Sequence, residues 1–153
     1  MTSPPLQSDV AHAIHALGNA LPEHTQLVPE PDNAEYGAFT TFPVGTRLRV
    51  AKLTPTKPGL FVTVWHRSAD GSTAPHRGDD GTQRLVVIVR DGTHFGAFIF
   101  PLSTLKDRGI VSVDGIGGKR GFRVYPPWSQ TTSRQAQSTQ RWQGEHFYPL
   151  DPR

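Results

Sequence analysis

The sequence contains no cysteine and a single methionine among its 153 residues. Without cysteine the chain cannot form disulfides, thiolate zinc sites or a thiolate nucleophile. No apolar run approaches the roughly 20 residues that span a bilayer. Residues 1–10 lack the basic and apolar parts of a signal peptide. These absences argue against a disulfide-stapled domain and against membrane insertion, so we expect a soluble cytoplasmic protein.

The first 46 residues contain no lysine or arginine, although they hold five of the 13 acidic residues. All 16 basic residues therefore lie from Arg47 onwards, and the net charge of +3 conceals a strongly basic body. Segregation of this kind predicts a positively charged face that attracts polyanions. The alternative is that the basic residues are solvated individually or paired with carboxylates.

A chain of this length can bury roughly 68–70% of the surface that its unfolded form exposes, so one domain over residues 1–153 is expected. Apolar residues at helical spacing predict a helix over residues 8–21, ended by Pro22. We expect residues 1–7 to be flexible. Residues 68–83 form a polar stretch without an apolar anchor, which predicts a mobile loop.

Short runs rich in β-branched and aromatic residues alternate with turn residues along the rest of the chain. They predict strands over residues 38–42, 47–53, 60–66, 84–90, 94–100 and 121–125. Asp91-Gly92 marks a hairpin between two of these runs. A short helix over 103–108 and a polar helix over about 132–147 complete the pattern. It is typical of an α+β domain with an N-terminal helix, a short helix and a C-terminal helix packed on a largely antiparallel or mixed sheet.

The segment GGKRGFRVYPPWSQTTSRQAQSTQRWQ, residues 117–143, combines five basic and four aromatic residues with no acid. By alternation along a strand, Arg123 and Tyr125 share one sheet face, whereas Phe122 and Val124 face the core. Guanidinium groups bind phosphates through paired hydrogen bonds, and aromatic rings stack on bases. This composition therefore favours contact with nucleic acid.

The predicted C-terminal helix is unusually polar. Arg134, Gln137 and Arg141 recur at spacings of three and four, which places them on one helical face. Such a face can hydrogen-bond phosphates and base edges without sequence commitment. A structural alternative is that Gln135 and Gln143 lie over the sheet and satisfy buried backbone groups.

Two tryptophans each allow two interpretations. Trp65 lies beside His66 and Arg67 at the end of a predicted strand, where it can stack on a base or fill a second layer of the core. Trp128 follows two prolines, and it can either stack on a base or pack beneath the C-terminal helix. Both interpretations remain open from the sequence.

Metal-dependent nuclease chemistry needs acids that converge on a divalent ion beside a lysine. Glu35, Asp79, Asp80 and Lys52 are the possible members, but no acid lies inside a predicted strand near Lys52. The sequence contains no nucleophile elbow, phosphate loop or dinucleotide fingerprint. We therefore predict no catalytic residue, no metal site and no cofactor, with Mg²⁺ or Mn²⁺ needed only if the protein is a nuclease.

Four segments together resemble the MepB family: AKLTPTKPGLFVTVWHR, FGAFIFPLSTLKDRGI, GGKRGFRVYPPW and SRQAQSTQRWQ. The resemblance extends from Glu35 to Phe147, in the same order and at compatible spacing. It implies a small bacterial protein encoded beside multidrug efflux components but not itself in the membrane. It also implies a core similar to the restriction-endonuclease-like fold, a link to nucleic-acid binding and a degenerate nuclease motif. In this chain His66 stands where the family usually has lysine, and residues 68–83 are Gly-rich and less apolar.

From the residues and the resemblance together we predict a non-enzymatic domain that binds DNA or RNA with low sequence specificity. The predicted contact residues are Lys52, Lys57, Trp65, His66, Arg67, Lys119, Arg120, Arg123, Tyr125, Trp128, Arg134, Gln137 and Arg141.

Two alternative functions stay open. One is a metal-dependent nuclease that uses Glu35 and Asp80 with Lys52. The other is a small-molecule binder that assists drug efflux. Its apolar pocket would be lined by Trp65, Phe98, Trp128 and Trp142.

Overall fold

The computed structural model describes residues 4–17, 26–42 and 45–150. The helices are α1 (Pro4–Ala16), α2 (Leu102–Asp107) and α3 (Arg134–Gly144), and a 3₁₀ turn covers Ala34–Tyr36. The strands are β1 (Gln26–Pro29), β2 (Phe39–Phe42), β3 (Thr46–Val50), β4 (Lys52–Leu53), β5 (Leu60–Thr63), β6 (Trp65–Arg67), β7 (Thr73–Pro75), β8 (Arg84–Asp91), β9 (His94–Pro101), β10 (Gly121–Val124) and β11 (Phe147–Pro149).

A six-stranded mixed sheet forms the centre of the molecule, in the order β1-β2-β3-β8-β9-β11. β3 and β8 run parallel, and the other neighbours are antiparallel. β8 and β9 form the predicted hairpin, in which Asp91 lies opposite His94 across a two-residue turn. Gly92 has a φ of 61°, a conformation that glycine adopts without steric cost. The predicted α+β class with a mixed sheet is confirmed.

Two smaller sheets lie beside the main one, and they correct the prediction of a single sheet. β10-β5-β4 form a three-stranded antiparallel sheet, and β6-β7 form a two-stranded one. The predicted strand over 47–53 is divided, because the chain leaves the main sheet at Ala51 and enters the three-stranded sheet. The predicted strand over 60–66 is divided at Val64 in the same way.

The main sheet buries apolar side chains on both faces, which explains why β8 is a continuous apolar run. Val86 and Ile88 pack with α1 residues such as Val10 and Ala13 on one side. Val87 and the other alternate residues of β8 pack on the second side, against the three-stranded sheet. A strand that is buried on both faces lacks the polar alternation of a half-exposed strand.

Several predicted boundaries are wrong. α1 begins at Pro4 rather than residue 8, so it includes residues 4–7 of the segment predicted to be flexible. Proline is tolerated in the first turn of a helix because the backbone N–H groups there have no helical partner. Residues 1–3 and 18–21, the rest of these two predictions, lie outside the described residues. Among the described residues, no helix has the length and apolarity needed to cross a bilayer.

Residues 68–83 are also more structured than predicted. They contain β7, which pairs with β6, and two buried side chains, His76 and Thr82. The segment is anchored by these two polar side chains, which contact Arg49 and Arg47, so no apolar anchor is visible in its sequence. The mobility of this segment stays a prediction.

Candidate nucleic-acid interface

The outer face of the three-stranded sheet brings the two predicted basic segments together. The β-sheet register sets both Arg123 and Lys52 opposite Phe61, so the three side chains form one row across β10, β5 and β4. Neighbouring strands are about 4.8 Å apart, which separates the two basic residues by about 10 Å along the backbone row. We call the surface formed by Lys52, Phe61, Thr63, Gly121 and Arg123 the outer face. The predicted alternation is confirmed, since Phe122 and Val124 are buried beneath it.

Lys52 is held on this face by two partners. Its Nζ lies 3.6 Å from a carboxylate oxygen of Glu35, and it sits 4.7 Å from the centre of the Tyr36 ring. The Glu35 side chain is 85% exposed. Exposed pairs of this kind are weak and screened by salt, so Glu35 holds Lys52 only weakly.

Arg123 is held by neutral groups. Its guanidinium donates hydrogen bonds to the Pro58 carbonyl at 3.1 Å and to the Thr54 hydroxyl at 2.7 Å. These neutral partners orient the Arg123 guanidinium over the Phe61 ring and leave the positive charge of Arg123 unpaired with any carboxylate among them. Lys57 is exposed in the turn between β4 and β5, beside these anchoring groups.

A cleft of about 430 Å³ between β10 and α3 continues the outer face. Arg108, Lys119 and Arg123 supply its positive charge, and none of the described residues that line it is acidic. We call it the basic cleft. Arg108 lies 4.7 Å from the centre of the Trp142 ring. Sequence reasoning missed Arg108 because a single arginine at the end of a short helix carries no local signal.

Gln143 positions the wall of the basic cleft. Its side chain is fully buried, its Oε1 accepts from the Tyr125 backbone N–H at 2.8 Å, and its Nε2 donates to the Arg123 carbonyl at 2.9 Å. β10 is an edge strand, so the carboxamide takes the place of a neighbouring strand. The structural alternative is thus confirmed for Gln143, whereas Gln135 lines the cleft.

Replacing Gln143 by leucine is expected to lower the free energy of unfolding by about 2–3 kcal/mol, because it leaves a backbone donor and a backbone acceptor without partners. Urea denaturation would measure the loss. Gln135→Leu is the matched control, since Gln135 is exposed, and it should change stability by less than about 0.5 kcal/mol. Equal losses in the two variants would show that the edge contact contributes nothing.

Arg134, Gln137 and Arg141 share one face of α3, as predicted, but it is not the cleft face. At 100° per residue they point roughly away from Gln135 and Thr139, which line the basic cleft. Gln137 donates to the Thr131 carbonyl, and Arg141 borders a separate shallow pocket beside Tyr125. Sequence periodicity identified the shared face without showing which side packs on the sheet.

Arg67 and Arg120 lie at the two-stranded sheet instead of the outer face. Arg120 donates to the hydroxyl and carbonyl of Thr73 at 3.0 and 2.8 Å. Arg67 donates to the Gly71 carbonyl at 2.7 Å and lies 5.3 Å from the Trp65 ring centre. Both side chains are exposed and keep their charge, since these partners are neutral.

His66 and Trp128 are engaged in internal packing. The His66 ring stacks on the buried His76 ring with centroids 5.7 Å apart. Trp128 stacks on His94 at 4.8 Å and meets the edge of Phe147 at 5.7 Å. Trp128 therefore packs internally, as one interpretation predicted, but its ring partners lie on β9 and β11, and the ring is partly buried against the main core.

A buried ion network, consisting of Glu30, Arg47, Arg49, His76 and Asp80, was not predicted. Arg49 is fully buried, and its Nη1 lies 2.6 Å from Glu30 Oε2, while Arg47 lies 2.6 Å from Glu30 Oε1 and 3.1 Å from Asp80. Arg49 also lies 3.2 Å from His76 Nε2. The alternation in TRLRV is the sequence feature that could have indicated this network, because it places both arginines on one side of β3. The network joins the residue that follows β1, and the 73–83 segment, to β3.

Burial, together with the charges of Arg47 and Arg49, lowers the pKa of His76 to about 3. The imidazole is therefore neutral near pH 7. Burial also lowers the pKa of Arg49, although Glu30 opposes that effect. The two arginine charges are matched by the two carboxylates of the network, so it is a structural element with no spare charge for a ligand.

The acids proposed for a nuclease site belong to different contacts. Burial raises the pKa of Asp80, but hydrogen bonds from Thr82 and the charge of Arg47 lower it overall, and they occupy both carboxylate oxygens. Glu35 instead pairs with Lys52 on the outer face. Within the described ranges, no three His, Cys, Asp or Glu residues are grouped so that they could hold a metal ion.

The four aromatic rings proposed to line one apolar pocket lie in different parts of the molecule. Phe98 is fully buried, with its ring centre 5.4 Å from Phe100 and 5.1 Å from Phe147. Trp142 lines the basic cleft and Trp65 lines a different cleft. The prediction of a shared aromatic pocket is therefore wrong.

Comparison with known proteins places this chain in a family. A family model described as MepB-like matches residues 30–149. The crystal structure of MepB is similar, with a TM-score of 0.79 and 32% sequence identity over 94% of this chain and 96% of that chain. No curated protein matches. The family match, together with this similarity in fold and sequence, shows that the chain belongs to the MepB-like family.

Proposed function

We propose that this protein is a non-enzymatic domain that binds DNA or RNA with low sequence specificity. The observation that supports the proposal is the continuity of the outer face with the basic cleft. Arg123 and Gly121 belong to both surfaces, so Lys52, Arg108 and Lys119 border one continuous surface. β4, β5, the end of α2, β10 and α3 all contribute residues to it.

The chemistry of this surface suits phosphates better than base edges. Basic side chains neutralise phosphates, and hydroxyl and amide groups on α3 and at its N-cap, such as Thr139, Gln135 and Ser133, can contact sugar and phosphate oxygens. Contacts of that kind position a nucleic acid without reading its sequence. The half-buried rings of Phe61 and Tyr125 offer additional stacking area.

Fluorescence anisotropy with labelled oligonucleotides, at about 50 and about 200 mM salt, tests the proposal. We expect affinity to fall with salt, with a slope of about 0.7–0.9 in log units for each phosphate contact. Lys119→Ala should weaken binding several-fold and reduce the slope by about one contact. Lys106→Ala removes the same charge from an exposed residue in a different cleft, so it should leave the affinity unchanged.

The proposal fails if neither single-stranded nor duplex oligonucleotides bind at the lower salt concentration. It also fails if Lys106→Ala and Lys119→Ala weaken binding equally, because that result would indicate a response to net charge alone.

A further inference from the structure

A second cleft, of about 440 Å³, lies at the end of the outer face. Asn33, Glu35, Tyr36, Thr63 and Trp65 line it, together with two smaller residues. We call it the Trp65 cleft. It is joined to the outer face through Thr63, and through the Tyr36 ring beneath Lys52.

Two buried oxygen atoms on its lining residues have no hydrogen-bond partner. Asn33 is only 6% exposed, and its Nδ2 donates to the Trp65 carbonyl at 2.6 Å. That bond fixes the orientation of the amide, because a flipped amide would set two oxygens against each other. Asn33 Oδ1 is therefore an acceptor without a donor, and Thr63 Oγ1 is also unpartnered. Native proteins rarely leave buried polar atoms unpaired, so a ligand that displaces the groups covering these two oxygens and donates hydrogen bonds to them would complete this site.

The aromatic rings and basic residues around the cleft suit a planar ligand that has a phosphate on each side. The Tyr36 ring has Lys52 at 4.7 Å, and the Trp65 ring has Arg67 at 5.3 Å. Each ring thus combines a stacking surface with a cation that can bind a phosphate. The carboxylate of Glu35 and the two unpartnered oxygens repel an anion from the cleft itself, so a base enters it and its phosphates stay outside.

From these contacts we infer that the Trp65 cleft holds one unpaired base with an exocyclic amino group, adenine, cytosine or guanine, and that single-stranded nucleic acid is the preferred partner. This inference rests on the proposed function and deepens it. In a duplex the amino group of a base is already hydrogen-bonded and the base is stacked, so a paired base cannot enter. Phosphates on either side of the bound base would lie near Lys52 and Arg67.

Thr63→Val is the sharpest test, because valine matches threonine in shape and the hydroxyl it removes has no partner in the protein. The melting temperature should stay the same or rise. Affinity for single-stranded adenine or cytosine oligonucleotides should fall about 3- to 10-fold, the loss expected for one hydrogen bond. Thymine oligonucleotides, which offer one ring N–H in place of an amino group, should lose less affinity, and duplex binding should not change. Thr93→Val, at an exposed turn residue, is the matched control.

Trp65→Leu provides a second, independent test of stacking. It should weaken binding of single strands about tenfold and leave duplex binding unchanged. The inference is overturned if both variants bind single strands as the wild type does, or if duplexes bind more tightly than single strands of equal length. In those cases a Lys119→Ala defect would still support the proposed function. Absence of binding to any oligonucleotide would overturn both.

Discussion

Replacing Glu30 by glutamine is expected to lower the free energy of unfolding by about 3–5 kcal/mol. The Glu30 carboxylate contacts both Arg49, which is fully buried, and Arg47, each at 2.6 Å. Glutamine has nearly the same size, but it removes the negative charge and replaces one acceptor oxygen by a donor. Two cations would then share a poorly solvated site with Asp80 as their remaining carboxylate. Urea denaturation at pH 7 would measure the loss.

Glu35→Gln is the matched control, since Glu35 is a carboxylate in an exposed pair with Lys52. Its loss should be below about 1 kcal/mol. Combining Glu30→Gln with Arg49→Met should recover part of the stability, because an apolar side chain of similar length removes the uncompensated charge. A loss in Glu30→Gln as small as in Glu35→Gln would show that the buried ion network does not contribute to stability.

The second large effect is a loss of stability on acidification that depends on His76. The unfolded chain has the ordinary histidine pKa of 6.5, whereas the folded protein holds the pKa of His76 at about 3. Between these values the unfolded state binds a proton that the native state does not. Lower pH therefore favours unfolding, by up to about 1.4 kcal/mol per pH unit from this residue. Urea denaturation at a series of pH values below 6.5 would record the slope.

His76→Gln removes the titrating group while keeping an acceptor for Arg49. The variant should show a slope that is flatter than that of the wild type by about 1 kcal/mol per pH unit. His15→Gln, at an exposed residue of α1, controls for the general effect of losing a histidine. Measurements above pH 3.8 avoid the range in which Asp80, whose pKa is lowered, loses its own contribution as it becomes protonated. Identical slopes in the wild type and His76→Gln would contradict the prediction.

Local periodicity accounts for the parts of the fold that could be predicted. The β8–β9 hairpin follows from two apolar runs joined by Asp91-Gly92, and the alternation in β10 correctly separates Arg123 from Val124. Both features depend only on residues that are close in sequence. The family resemblance likewise depends on the order and spacing of short segments, and the match over residues 30–149 confirms it.

The failures occur where a residue's partner is distant in sequence. Nothing near Glu30 indicates that it meets Arg49, 19 residues away, and nothing in the C-terminal segment indicates that Gln143 binds the β10 backbone. The division of predicted strands at Ala51 and Val64 has the same origin, because a strand changes sheets according to which neighbour it finds.

The sequence by itself determined the composition of the site: many basic residues, several aromatic rings and no cysteine. Tertiary structure decided which of them share a surface. The strand register sets Lys52 and Arg123 in one row, and the packing of α3 turns Arg134 and Arg141 away from the cleft. Arg49 is buried, so its charge serves the stability of the fold and is not available to a ligand. The physical reason is that charge and side-chain chemistry belong to each residue, whereas proximity depends on long-range strand pairing and helix packing.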